Sequence, residues 1–333
     1  MTTTATEPIL DVRNLRIEFE IAGRWIPTVD DVSFSVRPGE TLGLVGESGS
    51  GKSVSAMSLM GFTGRAKGQR ASGTANFRSR NLITLTEREL QGIRGNEIAM
   101  VFQEPMTSLD PSFKVGDQIA AGVRLHQGVS KAEAKRIAVN AMDQVRIPNA
   151  AARAESYPHE FSGGMRQRVL IAMAIANKPS LLIADEPTTA LDVSVQAQIL
   201  RLLGDMQDEL GLAMVFITHN MGVVADICDK VAVMYAGQIV EQGDVYETFR
   251  SPLHPYTSRL LASMPSLEAR QGRLESIPGS PPPPTDFPGG CRFAPRCRHA
   301  LDACTDGTVL VELGNGSLNR CLRGTEWREE LSA

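Results

Sequence analysis

The stretch GESGSGKS, residues 46–53, matches the spacing G-x-x-x-x-G-K-[ST]. An apolar run, TLGLVG, enters it, and a helix carrying Met57 and Met60 is expected to leave it. Glycines at 46, 49 and 51 let the backbone N–H groups of Gly46, Glu47, Ser48, Gly49, Ser50 and Gly51 turn inward around phosphate oxygens. The helix N-terminus adds a favourable dipole. Lys52 is placed to reach the β- and γ-phosphates of a nucleotide, and the Ser53 hydroxyl to ligate Mg²⁺. A second apolar run, LLIADEP, ends in two acids. Asp185 suits a magnesium ligand, and Glu186 suits a carboxylate that accepts a proton from attacking water. Gln103 and His219 also follow apolar runs, AMVF and MVFIT. The Gln103 amide could touch both metal and water, and His219 could hydrogen-bond the γ-phosphate.

FSGGMRQRV, residues 161–169, opens a helix a short distance before LLIADEP. Together with the preceding segments it resembles the ABC ATPases, with Walker A, Q-loop, signature, Walker B, D-loop (ALD, residues 190–192) and switch histidine in family order. The resemblance covers residues 9 to about 250. It implies an α/β P-loop cassette with a RecA-like core, an antiparallel β-subdomain and a helical subdomain at roughly 104–180. It also implies that Ser162, Gly163 and Gly164 contact ATP held by an opposing cassette, and that Asp192 links the two sites. An aromatic should stack on adenine, with Phe19 the first candidate and Trp25 the second. Phe161 and Met165 depart from the commonest signature, LSGGQ, but leave Ser-Gly-Gly intact. Glu186 is present, as a hydrolytic cassette requires.

FQEPMTSLDP (residues 102–111), THNMGVVADICDK and SPLHPYTSRLL (residues 251–261) narrow the resemblance to ATPase subunits of dipeptide, oligopeptide and nickel importers, similar to the D-type subunits of Opp and Dpp systems. That implies a second cassette of F-type, two membrane permeases, an extracytoplasmic substrate-binding protein, and a place on the cytoplasmic face of the membrane. Peptides are the expected cargo, with nickel or another small solute as the alternative. A soluble ABC ATPase outside transport fits less well, because no heptad run separates Gln103 from Ser162.

The elements that position these residues are legible by period. Residues 1–40 alternate short apolar runs and turns, as an antiparallel sheet does. Ser130-Lys-Ala-Glu133 fits a capping box before Ala134, Ala138, Ala141 and Met142 at helical spacing. Gly211 is a helix stop after Ile199, Leu202, Leu203 and Met206. VAVMYAGQIVEQG reads as a hairpin. Residues 1–250 form the expected nucleotide-binding domain, and residues 251–333 an extension with a proline-rich linker at 278–288.

Composition sets the outer bounds. The 333 residues are 42% hydrophobic with net charge −4, which suits a globular core and argues against a nucleic-acid surface. No apolar run reaches the ~18–20 residues of a membrane span. The N-terminus lacks the basic and apolar blocks of a signal peptide, so a cytosolic start is expected. Cys291, Cys297, Cys304 and Cys321 crowd the extension. In a reducing cytosol such a set reads as metal binding before disulfides. A [4Fe–4S] cluster is expected from the importer resemblance, with zinc or four reduced thiols as alternatives. His299 is a spare ligand expected to be exposed.

Overall fold

The computed structural model describes residues 7–103, 108–189, 191–264, 277–313 and 316–331. Two compact units result. One is built mainly from Leu10–Val36, Thr41–Thr84 and the chain from Ile217 onward; the other from Arg37–Glu40 and Leu85–Phe216.

The first unit opens with strands β1 (Leu10–Ile21) and β2 (Arg24–Val36), followed by β3 (Thr41–Val45), helix α1 (Lys52–Leu59), β4 (Gln69–Phe77) and β5 (Arg80–Asn81). Strands β2-β1-β4-β5 form an antiparallel sheet, as the alternating pattern predicts. Strand β3 is buried throughout and runs parallel to β9 (Lys230–Tyr235). β9 forms the expected hairpin with β10 (Gln238–Asp244), and β10 pairs with β12 (Leu318–Asn319), which pairs with β11 (Val311–Glu312). The tail therefore adds strands to the hairpin side of the sheet.

Four arginines tie that tail down. Arg292 donates to the Ala236 carbonyl and pairs with Asp30. Arg320 donates to Ile239 O and Asp31 Oδ2. Arg328 donates to the Pro252 carbonyl and to Ser251 Oγ. Arg296 grips the carbonyls of Pro278 and Gly279, so the proline-rich stretch is anchored, with a 3₁₀ turn at Pro284–Asp286. Trp327 is buried, and its indole N–H reaches Leu253 O at 3.0 Å. His299 is buried as well, 5.5 Å from the Trp327 ring, not exposed as composition suggests. Tyr235, Tyr256 and Phe293 close a core with ring centroids 4.6–5.3 Å apart.

The second unit holds helix α2 (Glu87–Ile93) and the parallel pair β6 (Ile98–Val101) and β7 (Leu181–Asp185), with β8 (Ala213–Thr218) beside β7. Helices α3 (Val115–Gln127), α4 (Lys131–Gln144), α5 (Ala150–Arg153) and α6 (Gly163–Ile175) fill the segment expected to be helical. Ser130 caps α4 through Glu133 N, but the Glu133 carboxylate turns to Arg136 instead of completing the box. Helix α7 (Val193–Leu210) ends at Gly211, φ 62°, where a left-handed residue closes the last turn. Gly164 on α6 faces α7 so closely that a Cβ there would lie 2.5 Å from Val195 Cγ1. Among the described residues no helix is long and apolar enough to cross a membrane.

Back in the first unit, α8 (Met221–Ile227) and α9 (Val245–Arg250) precede helix α10 (Pro255–Ala262), and the turn before α10 hangs on one carboxylate. Glu241 is fully buried and accepts from Leu253 N at 2.7 Å and His254 N at 2.9 Å. Burial raises its pKa from 4.5 to about 7, although those amides favour the charged form. His254 caps α10 through Nδ1, and burial drops its pKa to about 3, so it stays neutral.

Two predictions follow from this packing. Because Glu241 binds its proton more tightly when folded, its stabilising contribution is complete below about pH 4.5 and is lost as pH rises through about 7, by about 3 kcal/mol. Glu241→Gln should flatten that slope in thermal melts taken across the window. Gly164→Ala should destabilise by ~1–3 kcal/mol in denaturant titrations through overpacking, and Val195→Ala in the same chain should recover most of it.

Candidate phosphate-binding site and acidic strand end

In the first unit the glycine-rich loop follows β3 and delivers Lys52 to the start of α1. Its glycines are required by geometry. Gly46 has φ 151°, and a Cβ there would meet Met234 O at 2.1 Å. Gly51 has φ 103° and lies over Met234 Cε and Thr28 O. Gly49, at φ 78°, faces open space, so only its backbone conformation demands glycine. The loop is further stitched by Gly237 N to Ser50 O (2.9 Å) and Ser50 N to Glu47 O (3.2 Å).

Lys52 is 5% exposed. Its ammonium donates to Gly46 O (2.7 Å), Glu47 O (2.9 Å) and Ser50 Oγ (3.3 Å). A buried cation held by carbonyls inside a ring of backbone amides is a receptor for an anion. Ser48 and Gly49 at the crest are exposed, while Ser53 is partly buried in the first turn of α1. His219 is exposed immediately after β8, and Asn220 caps α8 (Met221–Ile227) through Gly222 N and Val223 N. Phe19 is half-buried on β1, between cross-strand partners Ile26 and Gln69. Trp25 has one face covered by the Arg70 guanidinium, 4.4 Å from its centroid, and Arg70 is held there by Glu18. Trp25 is nonetheless the more exposed of the two rings, at 38%.

In the second unit β7 ends in Asp185, 2% exposed, and turns at Glu186. Glu186 has φ 47°, a left-handed conformation uncommon for a residue with a side chain. Its Oε2 accepts from Gln103 Nε2 at 3.1 Å and Thr189 Oγ1 at 2.8 Å. The structure thus brings Gln103 and Glu186 together and adds Thr189, which no sequence motif pointed to. A hydroxyl such as Ser53 and a carboxylate such as Asp185 are donors that suit a hard cation like Mg²⁺.

Ser162 is the N-cap of α6 and accepts from Met165 N, with Ser162 and Gly163 exposed. Phe161 is 2% exposed, so the departure from leucine is a core substitution. Asp192 caps α7, accepting from Val195 N (2.9 Å) and Ser194 Oγ (2.6 Å), and these bonds hold its pKa below the usual carboxylate value. This capping role was not read from the sequence, although Asp-x-x before a helical run is its signal. Ala190 and residues 104–107 lie outside the described residues.

In the tail Cys291, Cys297 and Cys321 are partly buried, and burial raises each thiol pKa, Cys321 to about 11, while neighbouring thiols add to the shift. The four thiols therefore share one neighbourhood. Each of three accepts backbone N–H bonds from its own turn: Cys291 from Phe293 and Ala294, Cys297 from His299, Cys321 from Arg323. Leu301 N lies 3.5 Å from Cys304 Sγ. Among the described residues, however, no three His, Cys, Asp or Glu side chains stand at metal-holding geometry. The described residues therefore do not display the expected iron–sulfur or zinc centre as a formed ligand set.

Comparison with known proteins places these features. Residues 29–189 match the family described as ABC transporter, and residues 240–304 match the oligopeptide/dipeptide transporter C-terminal region. A putative peptide import ATP-binding protein of Brucella melitensis is 50% identical over 316 residues, 95% of each chain. The oligopeptide transport ATP-binding protein OppD of Salmonella typhimurium is 48% identical over 327 residues, 97% of each chain. Among solved structures, a dimeric post-hydrolysis ATP-binding cassette bound to ADP and Pi superposes with TM-score 0.63 at 25% identity, covering 71% of this chain and 98% of that one. The cbiO1 cassette of Clostridium perfringens gives TM-score 0.62 at 27% identity, covering 73% and 91%. With the phosphate loop, the acidic strand end and the capped signature helix all in place, this chain belongs to the ATP-binding proteins of the ABC transporter family.

Proposed function

We propose that this chain is the ATP-hydrolysing subunit that powers peptide import through a membrane transporter. What carries the reading is that ABC cassette residues and the oligopeptide/dipeptide C-terminal region occur in one chain, nearly half identical along its length to named peptide-import ATP-binding proteins. Residues 46–53 cradle the ATP phosphates, with Lys52 on the β- and γ-phosphates. Ser53, Asp185 and Gln103 hold Mg²⁺, which when bound neutralises charge on the phosphates. Phe19 stacks on the adenine.

Glu186 orients the water that attacks the γ-phosphorus and takes its proton, while the bond to the bridging oxygen breaks and ADP departs. Gln103 and Thr189 fix the direction of that carboxylate. His219 donates to the γ-phosphate. Ser162, Gly163 and Gly164 serve the ATP of a second cassette, an F-type partner, and Asp192 couples the two sites. Two permeases hold the pair at the cytoplasmic face of the membrane, and an extracytoplasmic binding protein delivers the peptide. The tail thiols Cys291, Cys297, Cys304 and Cys321 are assigned to a [4Fe–4S] cluster, with zinc as the alternative. Their shared neighbourhood and backbone N–H···S bonds support that assignment.

Glu186→Gln should lower phosphate release by ~10²-fold or more while nucleotide binding persists. Turnover near wild type would remove Glu186 from the role of base. In vesicles containing the assembled transporter, peptide-loaded binding protein should stimulate ATPase activity; stimulation by a nickel chelate instead would reassign the cargo. Protein purified without air should carry iron and acid-labile sulfide in equal amounts, lost when Cys291 and Cys297 become Ser. Stoichiometric zinc without iron would replace the cluster by the alternative.

A further inference from the structure

The phosphate loop is held from outside by the tail at one residue, Glu47. Its backbone N–H donates to the Tyr256 hydroxyl at 2.9 Å. Its carboxylate takes both arms of the Arg296 guanidinium, at 2.7 and 3.1 Å. Its carbonyl accepts from the Lys52 ammonium. One peptide therefore stands between the tail and the cation aimed at phosphate.

The grip is rigid. The side chain of Arg296 is 6% exposed and that of Glu47 26%. Arg296 is pinned in turn by Tyr235 Oη at 3.2 Å and by Pro278 and Gly279 carbonyls. Tyr256 is fully buried, wedged between Tyr235 and Phe293. A forked guanidinium on a carboxylate fixes orientation as well as distance, which an ammonium cannot do. The tail does not need this contact for its own attachment, since Arg292 and Arg320 reach the β9–β10 hairpin and the acids Asp30 and Asp31.

We propose that Arg296 and Tyr256 are positioning residues for ATP: they set the Glu47 peptide, and through it Lys52, in the arrangement that receives the triphosphate. The tail thereby takes part in nucleotide affinity. This inference rests on residues 46–53 being the nucleotide site, and the test separates the two.

The experiment uses the full-length chain, with MgATP affinity by calorimetry, KM and kcat from phosphate release, and a thermal melt for each variant. Wild type that fails to bind MgATP would sink the nucleotide site itself. With wild type binding, Arg296→Met should raise Kd and KM about tenfold at nearly unchanged kcat. Arg296→Lys should recover part of the loss. The exchange Glu47→Arg with Arg296→Glu should bring KM most of the way back. Tyr256→Phe, which removes one oxygen, should raise KM by a smaller factor and decides the matter if Arg296→Met does not fold. Lower melting temperatures with KM unchanged, or an exchange that restores the melt but not KM, would reduce both residues to tail packing and overturn the proposal.

Discussion

The phosphate loop leaves β3 with no room beneath it. A single methyl on Gly46 would sit 2.1 Å from the Met234 carbonyl, well inside contact distance. The loop thus rests directly on backbone of the β9–β10 hairpin, and Gly237 N fastens the other end of that support to Ser50 O. Whatever fixes the hairpin fixes the loop. Arg292 on Ala236 O and Arg320 on Ile239 O do so from the tail side. A rigid floor is what an anion receptor needs, because amides already aimed at phosphate lose little freedom on binding.

The acidic strand end solves a different problem. Glu186 turns out of the β7 strand at a left-handed φ of 47°, at a local cost in backbone energy. The bonds from Gln103 and Thr189 help maintain this conformation. Gly164 is small because Val195 packs directly against it. Asp192 likewise holds a helix end while standing beside the exposed Val193.

Much of this was legible before any coordinates. The phosphate loop, LLIADE, Ser130 as a cap and Gly211 as a stop are written in short, local patterns, where neighbouring residues alone decide geometry. The antiparallel opening sheet and the hairpin follow from period-two alternation. What stayed hidden depends on distant partners. Arg296 and Glu47 lie 249 positions apart, and nothing near Arg296 announces a carboxylate. Arg292, Arg320 and Arg328 look like solvated charge in a polar tail, yet each satisfies carbonyls or acids elsewhere in the fold. His299 reads as a surface residue by type, yet it is buried against Trp327. Cysteine spacing said that four thiols belong together; it could not say what geometry they take without a ligand.

The clamp on Glu47 also orders events in time. A ribosome finishes residues 46–53 long before it reaches Tyr256, Arg296 and Trp327. The early segment can curl, but its floor, its hydroxyl partner and its guanidinium arrive in that sequence, from β9 to α10 to the cysteine-bearing turn. A growing chain therefore lacks these contacts on the phosphate loop until Arg296 has been made.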